Sequence, residues 1–143
     1  QNLIKEKKLS DKSIFLDFVP PWDIPSIIKL STCVVVPERE FPIQYHATPI
    51  IPREVMAVGK CLILSKELYN KQCYGDLTDG ENVLLTDPKN IKQFRTAIEY
   101  IIRHPGDATR IGQNAYKISK QIENFDEYIN QTTYLYTSLI EKP

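Results

Sequence analysis

Two stretches of the chain, Cys33-Val34-Val35-Val36 and Cys61-Leu62-Ile63-Leu64, are apolar throughout, with no polar residue at alternate positions. Runs of this kind suit strands covered on both faces, as in parallel sheets. Two further runs read as strands. Ile14-Phe15-Leu16-Asp17-Phe18-Val19 is β-branched and aromatic and is closed by Pro20-Pro21. Val83-Leu84-Leu85 is shorter and follows the turn residues Thr78-Asp79-Gly80-Glu81-Asn82. Helical signals lie between them. Asp23 is placed to cap a short helix that runs to Ser31, with Pro25 in its first turn. Residues 53–58 read as a helix stopped by Gly59, and residues 66–73 hold a helical turn or two.

The last third is helical. Asp87-Pro88 precedes a helix over about 89–103, with Ile91, Phe94, Ile98, Ile101 and Ile102 on one face. His104-Pro105-Gly106 breaks it. A second helix starts near Asp107 and carries Ile111, Ala115 and Ile118. A third starts near Asn124 and carries Phe125, Tyr128, Ile129, Thr132, Leu135, Tyr136 and Leu139. Strands alternating with helices predict an α/β fold with right-handed crossovers. The expectation is a Rossmann-like parallel sheet of about four strands, helices on both faces, and a helical tail over about 122–143. A chain of 143 residues makes one domain.

Composition narrows the function by exclusion. Lysine plus arginine and aspartate plus glutamate both number 18, so the formal net charge is zero and there is no electrostatic footprint for nucleic acid. No run of eighteen apolar residues is present to span a bilayer, and the polar N-terminus does not read as a signal peptide. The cysteines, Cys33, Cys61 and Cys73, are odd in number and lack Cys-x-x-Cys spacing, which argues against a disulfide framework or a zinc site. Cys33 and Cys61 open apolar runs, so buried thiols in a reducing cytoplasm are expected. The histidines, His46 and His104, lie far apart without metal spacing. Dinucleotide, P-loop and nucleophile-elbow signatures are absent.

The chemistry that remains lies after the second strand. Residues 38–52 form a long polar loop broken by prolines, and such loops in compact domains are usually functional or disordered. Glu54 then opens a helix. In an open parallel sheet this end of the strands is where ligands bind. A carboxylate accepts from sugar hydroxyls, and helix-end amides hold phosphates. Pro49 and Pro52 have no N–H, so the donors of this turn are Thr48, Ile50 and Ile51. Together they suit a nucleotide-sugar. In isolation, Glu54 gains only about 0.3–1 kcal/mol from the helix dipole.

Several blocks, in order, resemble the C-terminal, nucleotide-sugar-binding domain of GT-B fold glycosyltransferases of the group 1 type. They are Phe15-Leu16-Asp17-Phe18-Val19-Pro20, Glu54-Val55-Met56-Ala57-Val58-Gly59, the strand from Cys61, Asp79-Gly80-Glu81-Asn82-Val83-Leu84-Leu85, and Gly112-Gln113-Asn114-Ala115. The resemblance implies that Glu54 grips the ribose and that the turn N–H groups hold the diphosphate. It also implies a glutamate eight residues earlier beside the donor sugar. His46 stands there, so His46, Glu38 or Glu40 takes that place. Val83 replaces the family's second turn glycine.

The implied activity is hexosyltransferase-like transfer from a nucleotide-sugar to an acceptor hydroxyl, usually with retention, in glycan or polysaccharide biosynthesis. No cofactor or metal is expected. The partners implied are the donor and a separate N-terminal acceptor-binding domain. The chain is expected to be a fragment, inactive alone, of a cytoplasmic enzyme, with membrane-peripheral placement of the full-length enzyme as an option. The alternative is a non-catalytic interaction module on the same fold. A phospho-receiver-like domain is a poorer match, since only Asp17 sits in an expected strand.

Overall fold

The computed structural model describes residues 2–38, 50–71, 74–122 and 125–140. The two unbroken apolar runs do form parallel strands. β1 (Cys33–Val36), β2 (Cys61–Ser65) and β3 (Leu84–Thr86) stand in the order β1-β2-β3. Cys33 pairs with Cys61, Val36 with Leu64, and Ser65 with Thr86. The helices are α1 (Asn2–Glu6), α2 (Ile24–Leu30), α3 (Ile51–Val58), α4 (Lys66–Lys71), α5 (Ile91–Arg103), α6 (Pro105–Ile122) and α7 (Phe125–Ile140), with a 3-10 turn at Ser10–Lys12.

Both sheet faces are covered, which is why the strands show no alternation. On one face Val34, Val36, Leu62 and Leu64 meet Ile28 of α2, Val55 and Met56 of α3, Leu68 of α4 and Ala115 of α6. On the other face Cys33, Cys61 and Leu84 meet Ile101 of α5 and Ala108 and Ile111 of α6. Helix α6 therefore serves both cores, passing beneath the amino end of β2. β2 is buried along its whole length and runs into α4 with no residue between them. The Ser65 hydroxyl accepts the Leu68 N–H at 3.3 Å and so caps that helix.

The expected strand at Ile14–Val19 is not formed, so the sheet has three strands among the described residues. β-branched and aromatic residues favour extended backbone, but a strand exists only through a ladder with a neighbour. No strand pairs with this segment, and Ile14 and Phe18 are 88% and 86% exposed. Smaller differences follow the same logic. Asp23 stands at the start of α2, but its side chain makes no cap hydrogen bond. The helix after Asp87-Pro88 begins at Ile91, because Asn90 Oδ1 accepts from the N–H groups of Lys92 at 3.1 Å and Gln93 at 3.4 Å. α6 starts at Pro105, since proline's fixed φ suits a first helical turn.

Gly59 ends α3 with φ 74°, in the left-handed region that favours glycine. Gly112 of α6 lies directly against that corner. A Cβ added at Gly112 would sit 2.3 Å from the Gly59 carbonyl oxygen and 2.9 Å from the Lys60 carbonyl carbon. Glycine to alanine inside an exposed helix ordinarily gains about 1 kcal/mol. Here the sign reverses. Gly112→Ala is expected to destabilise the protein by about 3 kcal/mol or more, the cost of overpacking against backbone that cannot yield. Urea unfolding checks this, and a variant as stable as the parent would disprove the close approach.

Candidate functional site

The α3 helix returns from the carboxyl end of β1 to the amino end of β2, so its first turn lies at the carboxyl ends of the strands. That turn carries Ile50, Ile51, Pro52, Arg53 and Glu54. Pro52 is fully buried. No side chain caps the turn, and Ile50 stands at the cap position. The Glu54 N–H is taken by the Ile50 carbonyl at 3.1 Å. The N–H groups of Ile50 and Ile51 are among those a helix start leaves outside its own ladder.

Glu54 is half-buried. Its Oε2 is shielded from water and has no hydrogen-bond partner among the described residues. Glu38, just past β1, has the same property: Oε2 is buried and accepts no hydrogen bond there. A buried carboxylate oxygen without a donor costs free energy, and such atoms mark strain or a place for a ligand.

Tyr74 and Arg53 are the residues that sequence reasoning missed at this end of the sheet. Tyr74 is fully buried. Burial pushes its phenol up to about 12; the Glu38 carboxylate adds to the rise and the Arg53 guanidinium opposes it. The structure therefore gathers Glu38, Arg53 and Tyr74 at one corner, with Glu54 next along α3. A sequence pattern had no means to pair Tyr74 with them, since it follows α4 and belongs to no motif. His46, Thr48 and Glu40 lie outside the described residues. His104 is described and is remote from this corner: it stacks on Tyr100 with ring centroids 4.5 Å apart.

The turn motif proves to be a structural staple. Asn82 Oδ1 accepts the Thr78 N–H at 2.7 Å, and Asn82 Nδ2 donates to the Asp76 carbonyl at 3.2 Å. Asp79 Oδ1 accepts the Leu85 N–H at 2.8 Å. Helix α6 holds the turn from outside. Arg110 Nη2 donates to the Gly80 carbonyl at 3.2 Å, and Asn114 Nδ2 to that of Glu81 at 3.1 Å. Val83 is fully buried beneath. Beside the sheet, a largely apolar cavity of about 660 Å³ opens between Val35 and Pro37 on one side and Pro88, Phe94 and Ile98 on the other. Glu54 and Tyr74 do not line it. Among the described residues no group of three His, Cys, Asp or Glu side chains gathers as metal ligands would. No described helix is long and apolar enough to cross a membrane.

A parallel α/β sheet with helices on both faces, and an acid-bearing helix start at its strand ends, is the architecture of a GT-B C-terminal domain. The chain belongs to the glycosyl transferases group 1 family, whose model matches residues 1–118. Solved structures agree at the level of fold. Sucrose-phosphate synthase from Thermosynechococcus elongatus superposes with a TM-score of 0.81 and 22% identity, over 99% of this chain and 34% of that one. The C-terminal domain of LpcC, a glycosyl transferase group 1 family protein from Francisella tularensis, gives 0.70 and 22%, over 84% of this chain and 58% of that one. The chain thus spans about a third of the first and somewhat over half of the second. No curated protein matches the sequence.

The buried phenol has a pH signature. The folded-state value of Tyr74 lies above its ordinary 10.0. Its contribution to stability is therefore complete below pH 10 and is lost as pH rises towards about 12. Cys61, also raised to about 12, adds to the same alkaline loss. Tyr74→Phe is expected to make the decline of unfolding free energy shallower by up to about 1.4 kcal/mol per pH unit. Urea titrations at several alkaline pH values check this, and identical slopes in parent and variant would refute it.

Proposed function

We propose that this chain is the donor-binding part of a glycosyltransferase that moves a sugar from a nucleotide diphosphate to an acceptor hydroxyl. One observation carries the reading: Glu54 presents a buried carboxylate oxygen, without a hydrogen-bond partner among the described residues, at a helix start on the strand-end side of the sheet. Ribose hydroxyls are donors of the kind such an oxygen lacks. Hydrogen bonds to a charged group are worth about 1.5–3 kcal/mol each. The N–H groups of Thr48, Ile50 and Ile51 take the diphosphate, whose charge grows as the sugar leaves. Preorganised amides stabilise that charge, and we assign the reaction no resident metal. In this reading His46 supplies the contact to the donor sugar. Transfer is hexosyl and retaining, and the acceptor is held by a separate N-terminal domain. The 143 residues alone transfer nothing. The whole enzyme works in the cytoplasm.

A histidine at position 46, where the family has its first glutamate, favours a second reading, a binding module that has lost the chemistry. One experiment bears on both. Nucleoside-diphosphate sugars are titrated into the full-length protein and its Glu54→Ala variant by calorimetry. A 10- to 100-fold weaker Kd in the variant is expected, the equivalent of about 1.5–3 kcal/mol. Equal affinity would end the ribose assignment and leave the module.

A further inference from the structure

Cys33 and Cys61 are the first residues of β1 and β2, and the register of the parallel pair sets them side by side. Adjacent strands lie about 4.8 Å apart, within the roughly 4.4–6.8 Å that Cα atoms span across a disulfide. In-register partners point to the same face, and here both cysteines pack on one cluster with Ile101, Ala108 and Ile111. Both are free. Burial pushes the Cys33 thiol up, and it pushes Cys61 to about 12 with Cys33 adding to the rise. Buried thiols of this kind are ordinarily inert. Two features set this pair apart. Cys33 is only half-buried and lies on the edge strand. A cavity of about 450 Å³ at the amino end of the sheet has Cys61 in its wall beside Thr32, Lys60, Thr109 and Gln113. Cys33 does not line that cavity, and a peroxide reaches this thiol from the solvent side of the edge strand, where it is half-buried.

We propose that Cys33 and Cys61 form an oxidisable dithiol, a modification site at the end of the sheet opposite Glu54, which a peroxide closes to a cross-strand disulfide. The Cys33 sulfur, losing its proton, attacks one peroxide oxygen. The O–O bond breaks, Cys33 becomes a sulfenic acid, and the other oxygen takes up a proton and leaves as water or an alcohol. The Cys61 sulfur, losing its proton, then attacks the Cys33 sulfur. The S–S bond forms, the S–O bond breaks, and hydroxide takes that proton away as water. Two thiols lose two electrons in all, and the peroxide gains them. Parallel neighbours sit wider than the roughly 3.5–4.5 Å that Cβ atoms prefer across a disulfide, so the bond is strained and easily reduced. It ties the edge strand to its neighbour where both begin.

The test treats the purified protein with hydrogen peroxide and maps its peptides by mass spectrometry. Cys33→Ser and Cys73→Ser are run in parallel, and Cys33→Ala replaces the serine variant if that one does not fold. The expected product has lost two hydrogens in a Cys33–Cys61 linked peptide. The link survives in Cys73→Ser, is absent in the Cys33 variants, and is reversed by dithiothreitol. Both thiols remaining intact, Cys33 passing to sulfinic acid with Cys61 untouched, or a link through Cys73 would each overturn the proposal.

Discussion

The contact between Gly112 and the Gly59–Lys60 corner is the constraint on which the rest of the molecule depends. At that point α6 touches the backbone that joins α3 to β2. Because the helix comes so close, Ala115 reaches one core and Ala108 and Ile111 reach the other. The same helix then carries Arg110 and Asn114 to the carbonyls of the turn before β3. One helix thereby fixes where α3 ends, where β2 begins and how β3 is presented. The first turn of α3, with Glu54, is placed through this arrangement from the far end of its own helix.

The family's late-helix and turn motifs therefore have a mechanical meaning here. Gly112 makes room, Asn114 grips the turn, and Ala115 fills the core. In the turn, Asn82 closes the loop on itself and Val83 packs below it. They hold the frame against which the first turn of α3, with Glu54, is set.

Much of the fold was legible wherever the signal is local. The all-apolar runs of β1 and β2, the glycine stop at Gly59 and the apolar faces of α5 and α6 each follow from neighbours in sequence. The failure at Ile14–Val19 is instructive, because its composition is that of a strand while pairing is a tertiary property. Asp23 gave a cap signal without a cap, and Asn90 provided one just past the expected helix start near Lys89. At the candidate site, the place of Glu54 in the first turn of a glycine-ended helix was readable, while its role is a proposal. Tyr74 was not, since its role comes from burial against groups far away in sequence.

β2 passes straight into α4, with Ser65 both ending the strand and capping the helix. The middle of the crevice floor thus has no loop to lengthen or shorten. At this end of the sheet, room for longer or shorter segments lies with the connections that leave β1 and β3.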